Sequence, residues 1–109
     1  MNVLDENVSV IQRQLLRSWR IPVRHIGYET GQKGMTDDDI IPFLLTLRRP
    51  TFFTLDWDFY DPALRHERYC LVLLDVRREE AAIFIRRLLR HGDFDTQGKR
   101  MGMVMRARQ

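Results

Sequence analysis

Tyr69-Cys70-Leu71-Val72-Leu73-Leu74 is an unbroken apolar run, the pattern of a strand buried on both faces of a parallel sheet. Upstream, Thr51-Phe52-Phe53-Thr54-Leu55 is β-branched and aromatic, as a central strand should be, and it ends on Asp56. At the start of the chain Val3-Leu4 runs straight into Asp5, so a short first strand within Met1–Leu4 also delivers an acid at its C-terminal end. A further strand is expected over Ile21 to Ile26, stopping at Gly27, and a turn and last strand over Gly98 to Arg108, with Met103 and Met105 alternating against Val104.

Helical periodicity fills the gaps between these strands. From Val8 to Trp19 the apolar Val8, Ile11, Leu15, Leu16 and Trp19 recur at three- and four-residue spacing, with Gln12, Arg13, Arg17 and Arg20 on the other side and Asn7 or Ser9 as the cap. Thr36 followed by Asp37, Asp38 and Asp39 opens a second helix, with a capping hydroxyl and carboxylates at the positive end of the dipole. It runs to about Leu47, although Pro42 falls later than the first turn, where proline costs nothing. Glu79 to Arg90 is a third helix, burying Ala82, Ile85, Leu88 and Leu89 with Arg86, Arg87 and Arg90 outward, and His91-Gly92 closes it. Strands alternating with helices predict a single-domain α/β/α sandwich around a mostly parallel sheet.

Composition agrees with one such domain. A chain of 109 residues and 13.1 kDa, 44% hydrophobic and 30% charged, has enough apolar surface for one core and no room for a second. No apolar run approaches the ~20 residues a membrane span needs, and the N-terminal segment is acidic where a signal peptide is basic, so a cytoplasmic, non-membrane protein is expected. The lone Cys70 excludes an intrachain disulfide and points to a buried strand residue. Net charge is +3, and of eighteen basic residues only Lys33 and Lys99 are lysines, so the positive charge is almost wholly guanidinium, suited to phosphate.

In open α/β sheets the ligand site lies beyond the carboxyl ends of the strands, near a topological switch point, and that is where Asp5 and Asp56 fall. Carboxylates converging there repel one another unless a cation joins them. Hard Mg²⁺ or Mn²⁺ suits oxygen donors and, with phosphate oxygens as further ligands, serves phosphodiester hydrolysis. Each acid also has a plainer role: Asp5 and Glu6 as helix caps, most of Asp37-Asp38-Asp39 as capping and dipole residues, Asp56 and Asp58 as an Asx-turn leading into Asp61-Pro62. Three acid clusters at one sheet edge favour the metal.

The opening Val-Leu-Asp-Glu-Asn, the later Asp-Asp-Asp-Ile-Ile and the block Phe-Thr-Leu-Asp-Trp-Asp-Phe resemble the compact PIN-like proteins of the DUF5615 group, relatives of the toxin nucleases of toxin-antitoxin systems and of the Mut7-C domain. The likeness covers about the first 60 residues; beyond them only the strand-helix-strand order agrees. It implies a PIN-like fold and a Mg²⁺- or Mn²⁺-dependent ribonuclease held in check by an antitoxin. It implies Asp5 as the first metal ligand, Asp56 as the strand-end ligand with Asp58 beside it, and Thr54 as the residue orienting a neighbouring acid. For the helix acid, Asp38 has Ile41 three residues on and Asp37 has Ile40; the spacing to Thr54 favours Asp38. The chain departs from the group in Leu45, where a small alanine is usual, in Pro42, and in lacking the further helical acid of larger PIN nucleases, for which Glu29 is a loose candidate.

Other residues carry less. His25, His66 and His91 share no metal-binding spacing and read as surface or strand-end residues. Trp57 and Tyr60 could stack on single-stranded RNA, though packing or loop anchoring is the expected role of Trp57. Arg24, Lys33, Arg48 and Arg49 are candidate phosphate contacts near the site. Gly27 to Gly34, with three glycines, reads as a flexible loop and lacks the Gly-Lys-Ser/Thr ending of a P-loop. Two other readings stand beside the nuclease: a PIN-like module that binds RNA or protein without turnover, and a signalling receiver domain. The receiver also needs a hydroxyl residue ending the fourth strand and a lysine ending the fifth, which Leu74-Asp75 and Met103–Arg106 do not supply. Exposed edge strands would also allow a homodimer.

Overall fold

In the computed structural model, which describes residues 1–109, strands β1 (Asn2–Leu4), β2 (Arg24–His25), β3 (Thr51–Thr54), β4 (Cys70–Asp75) and β5 (Val104–Arg108) form one sheet. Their order is β2-β1-β3-β4-β5 and every neighbouring pair is parallel. The expected α/β sandwich is therefore the fold, with a sheet that is wholly parallel. The chain moves outward from β1 to β2 in one direction and to β3, β4 and β5 in the other, so the switch point lies between β1 and β3. The radius of gyration is 12.5 Å.

Alternation along the central strands splits the apolar residues between two cores. Val3, Phe52 and Leu71 stand in register and belong to one, with Ile40 and Leu44 of helix α2 (Asp37–Leu45) and with Phe59. Leu4, Phe53 and Val72, one residue on, belong to the other, with Leu16 of α1 (Val10–Ser18) and Ala81, Ala82 and Ile85 of α3 (Ala81–Arg90). Both rows are fully buried, which is why these strands carry no polar alternation. Cys70 lies in the second core, and burial pushes its thiol up to about 12, leaving it inert. No helix is long and apolar enough to cross a membrane.

Local signals account for most element ends. The hydroxyl of Ser9 accepts from Gln12 N and caps α1. Asp39 Oδ2 accepts from the backbone N–H and the hydroxyl of Thr36, so the third of the three acids closes a capping box on α2. Pro42 is accommodated inside α2, which ends at Leu45, short of Leu47. Short 3₁₀ turns at Trp57–Phe59 and Pro62–Leu64 are each opened by an aspartate, Asp56 and Asp61.

Several expectations from the sequence are corrected. Ile11 is 72% exposed, whereas Gln12 is buried because α1 packs on α3 and Gln12 Oε1 accepts at 2.9 Å from Ala82 N in the first turn of that helix. Glu80 gives α3 no side-chain cap, so a glutamine from another helix satisfies this N-terminal donor. The segment before β5 holds a short helix α4 (Gln97–Arg100), capped by Thr96, where only a turn was expected. β2 is two residues long, since Ile21 and Pro22 are still leaving the end of α1.

Replacing Gln12 by leucine leaves the Ala82 N–H buried without a partner, and urea unfolding is expected to register a loss of about 1–3 kcal/mol. Ile11→Gln, at an exposed position, should leave the midpoint unchanged.

Candidate metal centre

The carboxyl edge of β1 and β3 is tied together by side chains. Asp5 N donates to Phe53 O at 2.9 Å, which extends the ladder one residue beyond β1 and fixes the Asp5 backbone. Thr54, fully buried, donates its hydroxyl proton to Asp5 Oδ2 at 2.6 Å and accepts from Asp56 N at 3.0 Å. Asn7 bridges the same gap, with Oδ1 accepting from Leu55 N at 3.2 Å and Nδ2 donating to Thr54 Oγ1 at 3.4 Å. The sequence offered Asn7 as a helix cap. Its position in Asp-Glu-Asn was the only sign of this bracing role.

Asp56 follows this knot, and its Oδ1 accepts from Asp58 N at 2.9 Å. The plain Asx-turn reading is thus correct for one oxygen of Asp56, and the second oxygen is not used in that turn. Asp37, at the first position of α2, meets these residues: oxygens of Asp37, Asp56 and Asp58 lie within 4.8 Å of one another. Ligand oxygens on one octahedral Mg²⁺ stand about 3–4 Å apart, so side-chain rotation of about 1 Å closes the set. The donors are all hard carboxylates and half-buried to exposed, which fits Mg²⁺ or Mn²⁺ better than a thiophilic metal.

The charges interact. Asp37 is pushed above its ordinary value by desolvation in the cleft, then by the charges of Asp56, Asp58 and Asp5 and a hydrogen bond with Asp58. Asp5 is raised mainly by burial, against the opposing hydrogen bonds from Thr54 and Glu6 N, and further by the charges of Asp56 and Glu6. No cationic side chain forms an ion pair with any of these four acids.

The predicted site residues sort unevenly. Asp56 and Asp58 stand together, and Asp58 is in the three-carboxylate group itself. The helix acid in that group is Asp37, where the sequence spacing had favoured Asp38. Successive helical residues are turned by about 100°, so only one of the two can face Asp56. Asp38 lines an adjoining cleft with Ile41, Asp58 and Asp61. Asp5 lies outside the three-carboxylate group but within reach of it electrostatically, its Oδ2 fixed by Thr54.

Neither Asp5 nor Glu6 caps a helix. Glu6 Oε1 instead accepts from Gly34 N at 2.8 Å and pins the glycine loop over the site. Gly27 has φ +85, and a Cβ there would meet Glu6 Cδ at 3.3 Å, so glycine is needed for this closure. Glu29 supplies no fourth acid, because Arg13 and Arg17 hold it in ion pairs.

Trp57 is not in the core. It is 52% exposed, with the Arg106 guanidinium 4.9 Å from its ring centre and Tyr60 edge-on. Arg106 also pairs with Asp75 at 2.6 Å. Among the suggested phosphate contacts, only Lys33 lies at this edge, over the ring of Tyr28; Arg24, Arg48 and Arg49 stand at the amino ends of the strands. His25 is buried against Tyr28, while His66 and His91 accept from backbone N–H groups in local turns. No family model matches the chain, and no curated protein or solved structure matches it.

A carboxylate raised on folding binds its proton more tightly in the folded state, so its contribution to stability falls as pH rises above the ordinary value of 3.8. Asp37→Asn removes one such group. In EDTA its melting temperature should rise relative to the parent as pH goes from 4 to 8, and Mg²⁺ or Mn²⁺ should raise the melting temperature of the parent but not of the variant. Equal metal-induced shifts in both proteins would rule out this centre.

Proposed function

We propose that this protein is a metal-dependent ribonuclease that hydrolyses phosphodiester bonds, acting in the cytoplasm as the toxin-like component of a toxin-antitoxin pair. The observation that carries the reading is the meeting of Asp37, Asp56 and Asp58 at the switch point of a parallel sheet, with Asp5 beside them. Asp37, Asp56 and Asp58 would hold Mg²⁺ or Mn²⁺, with Asp5 as a further oxygen donor. When bound, such an ion supplies Lewis-acid activation and charge neutralisation for in-line displacement at phosphorus.

The chain's own residues serve the rest. Thr54 and Asn7 hold the ends of β1 and β3 in one geometry, so the acids need little reorganisation when a substrate arrives. Exposed Trp57 and Tyr60 adjoin Asp56 and Asp58, and base stacking on such rings is sequence-tolerant and worth about 1–3 kcal/mol per base. Arg106, held by Asp75, lies against the Trp57 ring and supports that platform. The cleft is open, as a polymeric substrate requires.

A second reading, a PIN-like module that binds RNA or a protein such as an antitoxin without turnover, draws on two observations. Asp5 is outside the three-carboxylate group, and Glu29 is locked by arginines.

Single-stranded RNA incubated with the protein and Mg²⁺ or Mn²⁺ separates the two. Cleavage should fall by about 10²-fold or more in Asp37→Asn and Asp56→Asn, and by about 10–100-fold in Thr54→Val, which frees Asp5; Asp38→Asn should retain most of it. RNA binding without cleavage would select the second reading, and cleavage that survives both Asp37→Asn and Asp56→Asn would remove the site from the reaction.

A further inference from the structure

At the opposite edge of the sheet, below the amino ends of β1 and β2, lies a pocket of about 500 Å³, within the usual size of small-ligand sites. Its charged side chains are all arginine, Arg17, Arg20, Arg24 and Arg100, with Ile21 and Pro22 as an apolar wall and no acidic residue. Arg17 is paired with Glu29, but Arg20, Arg24 and Arg100 form no ion pair.

Two of these arginines are held there at a cost. Arg100 is 4% exposed; its Nε donates to Thr51 Oγ1 at 3.0 Å and its Nη1 to Phe94 O at 2.7 Å, which aim a buried guanidinium without neutralising it. A buried charge with no ion-pair partner is disfavoured unless a ligand completes it. Arg20 closes α1 in a Schellman arrangement, in which Arg20 N donates to Arg17 O and Ile21 N to Leu16 O. Its φ is +62, in the left-handed region where glycine is the favoured residue. The only other non-glycine residue with positive φ is Arg49, at this same edge of the sheet. Backbone strain at an arginine facing a positive pocket makes sense if the guanidinium has an anion to bind.

We propose that this pocket binds a phosphomonoester, carried by a free nucleotide or by the 5′ end of an oligonucleotide. Three unpaired guanidiniums exceed what a single carboxylate or an internal phosphodiester would balance. A terminal phosphate carries close to two charges and three acceptor oxygens, matched to forked arginine donors. The Ile21-Pro22 wall lies beside the charged cluster, where the attached nucleoside would rest. This site is independent of the acidic centre and needs no metal.

Calorimetric titration in EDTA, which removes any metal contribution, tests it with adenosine 5′-monophosphate and with one hexadeoxynucleotide carrying either a 5′-phosphate or a 5′-hydroxyl. The phosphorylated strand should bind at least tenfold more tightly than the hydroxyl form. Binding of the mononucleotide as well identifies free nucleotide as a sufficient source; binding of the phosphorylated strand alone identifies the strand end. Arg24→Gln and Arg20→Gly should each weaken binding tenfold or more, while Arg65→Gln, an arginine outside the pocket, should not. Because glycine relieves the strain, Arg20→Gly should melt no lower than the parent, so its loss of binding cannot be ascribed to unfolding. The proposal is overturned by equal affinity for the two strands, by unchanged affinity in both pocket variants, or by an acidic hexapeptide that binds as tightly as the phosphorylated strand.

Discussion

The parallel pairing of β1 with β3 sets Val3 opposite Phe52 and Leu4 opposite Phe53, and the same register carries Asp5 N onto Phe53 O and Asp5 Oδ2 onto the Thr54 hydroxyl. A slip of one residue would exchange the two core rows and separate the acids from Thr54. Packing and site geometry are therefore under one constraint. The apolar rows on both faces fix the register, and the register fixes where the carboxylates point. The two cores can be strict about this because phenylalanine pairs of this volume tolerate neither cavities nor overpacking.

A second consequence is polarity. All five strands run the same way, so their carboxyl ends share one edge and their amino ends the other. Acids gather at the first: Asp5, Asp37, Asp56 and Asp58. Arginines gather at the second: Arg20, Arg24, Arg49 and Arg100. The net charge of +3 conceals this division. Like charges at each edge raise the free energy of the unliganded protein, and a cation at one edge or a phosphate at the other would lower it. The chain neutralises Glu29 with Arg13 and Arg17 and Asp75 with Arg106, and leaves the four acids of one edge and Arg20, Arg24 and Arg100 of the other without ion-pair partners.

Much of this was legible in the residues. The apolar run at 69–74 and the aromatic strand at 51–55 read directly as buried parallel strands, and Ser9, Thr36 and Asp61 read as caps and turns, because these signals act over three or four residues. Errors came where a distant element decided the outcome. Gln12 reads as a solvent-facing residue until Ala82 N is placed against it. Trp57 reads as packed because nothing local shows that Phe59, two residues on, is the aromatic of this turn that enters the core against Phe52. Asp37 and Asp38 differ by one position, and no local signal says which faces Asp56; the orientation of α2 on Ile40 and Leu44 decides that.

The amino-acid sequence by itself determined the alternation of strands and helices, the all-apolar central strands and the presence of acids at the ends of the first and third strands, since backbone preference and burial act on neighbours along the chain. Only the tertiary structure decided which acids meet. Asp37 and Asp56 are nineteen positions apart in the chain, and carboxylate geometry depends on the angle at which α2 packs on the sheet. The arginine pocket belongs wholly to that second category: Arg20, Arg24 and Arg100 become neighbours only when the amino ends of parallel strands are drawn to one edge.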